Sequence, residues 1–157
     1  MKCKWSSKIN NEPICNHEAD DSGYCIFHKK HKTKEENKEV IKLIKEKKIS
    51  DFSGFIFEEN FNINEVIDYS YKELNFTETT FVKEALFNNY IFKGKTIFNQ
   101  TNFLDFTTFI NSKFRYTAIF NNVIFNSKHS NKKIFMGVEF TGQNLVISSV
   151  YNLPRLD

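Results

Sequence analysis

Phenylalanine recurs through the second half of this chain at a fixed, alternating spacing. The step from one Phe to the next is five residues and then six, so that two interleaved series each repeat every eleven residues. The ten members are Phe76, Phe81, Phe87, Phe92, Phe98, Phe103, Phe109, Phe114, Phe120 and Phe125. Regular self-similarity of this kind indicates a repeating structural unit.

Neither an α-helix nor a flat β-strand places all of these Phe side chains on one face. At about 100° per residue, steps of five and six rotate consecutive Phe residues about 140° and about 120° in opposite senses around a helix. In a strand, a step of five changes the face and a step of six does not. The chain must therefore turn between consecutive Phe residues. Turns of about 90° in one sense would point every Phe at a common axis, which predicts a solenoid.

The residue two positions before each Phe should also point inward, where crowding favours small or slim side chains. Eight of the ten positions comply: Thr79, Ala85, Thr96, Thr101, Thr107, Ser112, Ala118 and Val123. Leu74 and Tyr90 complete the set, and the large Tyr90 predicts a local bulge. Asparagine is favoured at corners of the chain, which are expected at Asn88, Asn89, Asn121 and Asn122.

The segments ETTFVKEALFNNYIF and AIFNNVIF resemble the pentapeptide-repeat family, whose unit has a small residue, then a polar or variable one, then a central Leu or Phe. One extra residue in every second unit is similar to a Phe-rich variant of that family, and the match is strict from Leu74 to Ser127. The resemblance implies an all-β solenoid, a right-handed quadrilateral β-helix, over residues 49–145. Residues 146–157 are then expected to form a C-terminal tail.

The lattice is less regular on both sides of this strict region. Downstream, a plain step of five continues through Phe135, Phe140 and Leu145, after a gap at Ser130. Upstream, two frames compete. The first frame leads into Phe76 in steps of five residues and consists of Ile56, Phe61, Val66 and Tyr71. The second frame is a separate pair, Phe52 and Phe57. The sequence leaves this choice open.

Residues 33–48 are predicted to form one amphipathic helix. Thr33 and Glu36 have the spacing of a capping box, and an apolar face is formed by Val40, Ile41 and Ile44. The helix can act as a solvated linker or a cap, or its apolar stripe can bind a partner. Its mixed charges do not suit an anionic membrane surface.

Residues 1–32 carry all three cysteines and three of the four histidines, without a sustained helical or strand period. Three cysteines cannot pair evenly into disulfides, so metal ligation is the better interpretation. Cys3, Cys15, Cys25 and His28 form a set of three thiolates and one imidazole that suits tetrahedral Zn²⁺. The segment GYCIFH, with Trp5 close to the first Cys, resembles small Cys/His zinc modules that precede some pentapeptide arrays.

Two other histidines and one other chemistry compete with this zinc-module prediction. His17 and His31 are rival ligands, although each is more typical of a solvated side chain. Cys25 and His28 could also imitate a nucleophilic dyad, but no oxyanion-hole loop accompanies them. Four protein ligands would close the site, which favours a structural role over a catalytic one, and no catalytic residue is assigned.

A solenoid leaves an apolar surface at each end, and terminal units need a cap. The helix at 33–48 can serve at the N-terminal end. No cap is evident in the last residues, so we expect that the C-terminal end forms a homodimer or that the chain continues in a longer parent protein.

The sequence predicts a non-enzymatic scaffold that binds a protein partner. Paired carboxylates, a phosphate-binding loop and a catalytic triad are not found in a suitable context. Two alternatives are weaker. The first is nucleic-acid binding by the lysine-rich N-terminal third, through Lys29, Lys30, Lys32 and Lys34. The second follows from the family resemblance, since some members imitate duplex DNA and bind a type II topoisomerase. That mimicry needs an acidic surface, whereas five basic and three acidic residues lie between Phe76 and Phe125.

The chain is expected in the cytoplasm, away from membranes. Its N-terminus lacks the apolar region and cleavage site of a secretory signal, and no run of about eighteen apolar residues occurs.

Overall fold

The chain folds into an N-terminal module, a helix and then a series of short parallel strands. The computed structural model describes residues 1–9, 15–68, 73–125, 134–142 and 144–148. Its helices are α1 (Lys34–Lys47) and α2 (Ile63–Val66). Its strands are β1 (Ile56–Phe57), β2 (Phe61–Asn62), β3 (Glu73–Asn75), β4 (Thr80–Phe81), β5 (Ala85–Leu86), β6 (Ile91–Phe92), β7 (Lys95–Ile97), β8 (Asn102–Phe103), β9 (Thr107–Thr108), β10 (Lys113–Phe114), β11 (Ala118–Asn121), β12 (Ile124–Phe125), β13 (Glu139–Phe140) and β14 (Leu145–Ser148).

Four parallel sheets form the four sides of a solenoid. The first side contains β1, β4, β8 and β12, the second β2, β5 and β9, the third β6, β10 and β13, and the fourth β3, β7, β11 and β14. Phe81 pairs with Phe103, which pairs with Phe125, so one regular coil takes 22 residues. The predicted four-sided β-solenoid is thus confirmed.

The core consists of four columns of stacked side chains, one on each side. All ten lattice Phe residues are at most 2% exposed. Successive rings in a column lie between 4.2 Å and 5.2 Å apart and are tilted by 3° to 15°. Rings of different columns meet edge to face, as Phe87 and Phe98 do at 5.7 Å. Both arrangements suit the quadrupole of an aromatic ring, so the columns support one another.

The small residues two positions before each Phe are buried, as the spacing predicts. Their hydroxyl groups are satisfied by the backbone: Thr79 donates to Phe52 O and Thr101 to Phe76 O, both at 2.8 Å. Tyr90 is the exception, because its ring remains half-buried and lines a cavity of about 290 Å³ with Ile67 and Leu74.

Every five-residue corner uses a residue in the left-handed backbone region. These residues follow the preceding central side chain by two positions, and they are Gly54, Glu78, Asn89, Gln100, Asn111, Asn122 and Gly137, with φ between 52° and 70°. A hydrogen bond of 3.1 Å from Thr79 N to Phe76 O closes one such turn. The six-residue corners contain no positive φ among the described residues. Two kinds of corner therefore produce the alternating spacing.

The structure resolves the open frame at the start of the solenoid. Phe52 stacks on Phe76 and Phe57 stacks on Phe81, so the second frame carries the lattice. The first coil takes 24 residues, because Phe57 pairs with Phe81. Phe61 pairs with Ala85 and is not a central position. The short helix α2, which the sequence did not predict, lies in this longer coil; Tyr71 is outside the described residues.

The last coil is longer still. Phe135 and Phe140 stack on Phe109 and Phe114, as predicted. Leu145, however, pairs with Ala118, and Ile147 pairs with Phe120. The prediction that Leu145 continues the central column is therefore wrong, because the corner after Phe140 is two residues longer than a step of five permits. Strand β14 runs to Ser148, and Ser130 is outside the described residues.

Helix α1 has the predicted N-terminal capping box. Glu36 N donates to Thr33 Oγ1 at 3.1 Å, and Thr33 N donates to the Glu36 carboxylate at 2.7 Å. Val40 and Ile44 are buried. Neither helix in the described part of the chain has the length and apolar character needed to cross a membrane.

Candidate metal centre

The N-terminal module brings three cysteines and one histidine together. Cys3, Cys15, Cys25 and His28 are at most 8% exposed, and their ligand atoms all lie within 4.8 Å of one another. The Sγ atoms of Cys15 and Cys25 are 3.6 Å apart, and His28 Nδ1 lies 3.5 Å and 3.2 Å from Cys3 and Cys25 Sγ. A tetrahedron with metal–sulfur bonds of about 2.3 Å separates its sulfur atoms by about 3.8 Å. The four groups can therefore hold one metal ion.

Backbone contacts bring the distant Cys3 to the other ligands. Lys2 forms an antiparallel bridge with Glu18, and Cys3 N donates to His17 O at 3.0 Å. Cys25 and His28 belong to one tight turn, in which His28 N donates to Cys25 O at 3.0 Å. These contacts bring Cys3 close to Cys25 and His28 in space, although more than twenty residues separate them along the chain.

The second ring nitrogen of His28 is held by the solenoid. His28 Nε2 lies 2.9 Å from Ser53 O and donates to it, which leaves the Nδ1 lone pair directed at the cysteines. Trp5 stacks on the imidazole with a centroid distance of 4.5 Å. The Trp5 ring also lies over Gly54, where a Cβ atom would come within 2.0 Å of it. Ser53, Trp5 and Gly54 therefore orient the imidazole, and the sequence identified none of their roles.

Burial sets the protonation of the metal-free cluster. It lowers the pKa of His28 to about 4 and raises the pKa of Cys25 to about 12. Burial also raises the pKa of Cys15. For Cys3, burial acts upward, but hydrogen bonds from the backbone of Cys25 and Trp5 leave the pKa lowered. The imidazole is thus neutral at pH 7, and a metal ion must displace protons from the thiols.

The two rival histidines lie outside the group of four. His17 Nδ1 is 3.3 Å from Cys15 Sγ, and its ring meets Phe27 edge to face at 5.1 Å. It can hydrogen-bond the Cys15 sulfur without joining the other three ligands. His31 is exposed, and its backbone N–H donates to the Glu58 carboxylate.

The Cys25–His28 pair is poorly placed for nucleophilic catalysis. The two side chains are 2% and 6% exposed, so a substrate has little access to the sulfur. His28 Nε2 already donates to a backbone carbonyl. The geometry suits a closed site for an ion.

The same module covers the N-terminal end of the solenoid. Ile56 N donates to Phe27 O at 2.9 Å, and the ring of Phe27 stacks on that of Phe55 at 4.4 Å. Phe52, the first member of its column, is 0% exposed. At the opposite end, Phe140 is 36% exposed and Ile147 is 58% exposed. Only the N-terminal end of the described structure is therefore covered to this extent.

Two of the four lysines considered for nucleic-acid binding make internal contacts. Lys29 Nζ pairs with Asp20 at 2.8 Å and Glu36 at 2.6 Å. Lys32 Nζ donates to the backbone oxygens of Lys29 and Ile56. The other two, Lys30 and Lys34, are exposed. The side chains of Lys29 and Lys32 stabilise the module rather than forming a free cationic surface.

Comparison of the chain with protein-family models, with curated proteins and with solved structures returned no significant match. The functional argument therefore rests on the geometry of the chain itself.

Proposed function

We propose that this protein is a non-enzymatic scaffold for protein–protein interaction whose N-terminal module binds one structural zinc ion. The observation that carries the zinc proposal is that the two ring nitrogens of His28 have different partners. Its Nδ1 atom faces the three cysteines, while its Nε2 atom donates to Ser53 O of the first coil. An ion held by these ligands would stabilise the module in the position where it covers the solenoid.

Zinc is the metal that this donor set fits best. Thiolate sulfur and imidazole nitrogen are its usual ligands, and a site with three cysteines and one histidine is typically tetrahedral and structural. Four protein donors leave no open coordination position for a substrate. The proposed ion thus supplies folding energy and not a reaction step.

The scaffold proposal is supported by the separation of buried and outward-facing side chains within each coil. Central Phe residues and the small residues before them are buried, while intervening side chains face outward on closely packed coils. A solenoid of this kind offers an extended, rigid surface to a partner. The mixed outward charges do not favour DNA mimicry, and the internal contacts of Lys29 and Lys32 weaken the nucleic-acid alternative.

Metal analysis of the purified protein tests the zinc site. We expect one zinc ion per chain, and loss of that zinc in Cys25→Ser. The matched control is His31→Ala, which removes an exposed rival histidine and should retain the metal. Full zinc content in Cys25→Ser, or loss of zinc in His31→Ala, would refute the assigned ligand set.

Affinity capture from the native cell lysate tests the scaffold role. The folded protein should retain specific partners, and a variant with a disrupted core, Phe103→Ser, should lose them. Capture that is equal for the two proteins would contradict binding by the folded solenoid. Turnover of a substrate by the purified protein would contradict the non-enzymatic assignment.

A further inference from the structure

One corner of the solenoid carries a cluster of exposed basic side chains. It joins the third side to the fourth side and contains Lys93, Lys95, Arg115 and Tyr116, here called the basic ridge; all four are exposed. Lys93 and Arg115 follow Phe92 and Phe114, which are paired in adjacent strands. The two cations therefore occupy equivalent positions on neighbouring coils, and Lys95 lies two residues beyond Lys93.

The cations of the basic ridge form no ion pair with a described residue, although Glu73 is the strand partner of Lys95 and Asp68 lines the same cavity as Lys93. Neither Lys93, Lys95 nor Arg115 forms an ion pair or a side-chain hydrogen bond with a described residue. Other outward lysines of the solenoid do form ion pairs, as Lys83 does with Glu59 and Lys113 with Glu139. The ridge is therefore the site on the described solenoid surface where adjacent coils present several unpaired positive charges.

An exposed aromatic residue follows Arg115 directly in the chain. Tyr116 is 61% exposed, more than any other described aromatic residue of the solenoid. A Cβ atom at Gly142 would approach Tyr116 O to 2.4 Å, so the following coil packs tightly against the backbone of Tyr116. Tyrosine and arginine are enriched at the energetic centres of protein interfaces. The ridge thus combines charge with a carbon surface that can be desolvated.

The backbone beneath the ridge is rigid. The rings of Phe92 and Phe114 stack at 4.2 Å with an angle of 3°. Arg115 N donates to Phe92 O at 3.0 Å, and Thr96 N donates to Thr117 O at 2.9 Å. A preorganised surface loses little conformational entropy when a ligand binds.

We propose that the basic ridge binds an acidic segment of a protein partner, a proposal that rests on the scaffold function stated above. Carboxylates of the segment would pair with Lys93, Lys95 and Arg115, and an adjoining carbon surface would cover Tyr116. Duplex DNA is a poorer fit, because binding to it draws on many phosphate contacts and the ridge offers three cations.

Fluorescence anisotropy with defined probes tests the proposal on the full chain. The probes are a labelled peptide of Glu and Ser, the same peptide with Gln in place of Glu, and a short DNA duplex. The ridge variant carries Lys93→Glu, Lys95→Glu and Arg115→Glu. A control variant with the same change in charge carries Lys38→Glu, Lys45→Glu and Lys47→Glu on α1, which are exposed residues outside the ridge.

We expect the protein to prefer the Glu peptide, and the ridge variant to bind it at least about tenfold more weakly at low salt. The control variant should change the affinity less than about twofold, and Tyr116→Ser should weaken binding about threefold. Thermal unfolding of each variant checks that the fold is retained. No preference for the Glu peptide, or equal losses in the two charge variants, would overturn the proposal. Tighter ridge-dependent binding of DNA would also overturn it.

Affinity capture with the ridge variant separates this proposal from the scaffold function. If the variant retains every specific partner of the unmodified protein, the ridge is not the docking surface, although the scaffold function stands. If the unmodified protein retains no specific partner, the scaffold function itself fails.

Discussion

Replacing Phe103 with Ser should remove a central support of the solenoid. Phe103 is 0% exposed and is stacked between Phe81 and Phe125, with both centroid distances at 5.0 Å. Its edge also meets Phe87 and Phe109, at 6.0 Å and 6.3 Å. The substitution would therefore leave a cavity bordered by several rings and place a hydroxyl group inside it.

The expected loss of stability is large for a chain of this size. Truncating a buried Phe costs about 3–5 kcal/mol. Burying an unsatisfied hydroxyl adds about 1–3 kcal/mol, so we expect a decrease of about 4–8 kcal/mol in the free energy of unfolding. At about 2–4 °C per kcal/mol, the Tm should fall by about 8–32 °C.

Urea and thermal unfolding, followed by circular dichroism, measure this decrease. The matched control is Leu104→Ser at the next residue, which is 42% exposed and points outward. The control should lose less than about 1 kcal/mol, since surface substitutions are usually mild. If the two variants lose similar stability, or if Phe103→Ser unfolds like the unmodified protein, the inward Phe column does not stabilise the fold.

Three further predictions concern the metal, the corners and the open end. Zinc affinity, measured by chelator competition, should rise with pH between about 6 and 8. The reason is that burial raises the pKa of Cys25 to about 12, so zinc must displace thiol protons when it binds. An affinity that does not change with pH would contradict thiolate ligation. Gln100→Gly should stabilise the protein by about 0.5–1 kcal/mol in urea unfolding, since φ is 53° at this residue, whereas Asn99→Gly should destabilise it. If both variants lose stability, the corner does not favour glycine. Finally, we expect the protein to form a homodimer through the C-terminal end of the solenoid, where Ile147 is 58% exposed. Analytical ultracentrifugation should show a concentration-dependent dimer that Ile147→Lys abolishes. An unmodified protein that stays monomeric would refute the predicted dimer.

The sequence predicted the solenoid because its core uses one residue type at a strict spacing. The clustering of Cys3, Cys15, Cys25 and His28 was also predictable, since all the cysteines lie in one short segment. Corners were predicted at two asparagine pairs, of which Asn89 and Asn122 have positive φ, and the equivalent corner at Asn111 was missed. Glu78 and Gln100 occupy equivalent corners, and these residue types carry no signal for that conformation.

The first and last coils were not predictable, because local insertions change the register without changing the composition. Helix α2 has four residues, too few for a periodic pattern. Downstream, Leu145 lies at an apparent step of five from Phe140, yet β14 pairs so that Ile147 takes the central position. The contact of His28 with Ser53 O is likewise absent from any motif, because a backbone carbonyl can belong to any residue.

The 22-residue length of the regular coils also bears on how this solenoid can change in evolution. Phe81, Phe103 and Phe125 occupy one column at intervals of 22 residues. Deleting or duplicating one complete regular coil would keep the remaining Phe rings stacked in their columns and would leave both ends of the solenoid unchanged. A gene for this protein can therefore lengthen or shorten the regular part of the solenoid by whole steps of 66 nucleotides, whereas an insertion of another size must be accommodated within a coil, as in the 24-residue first coil.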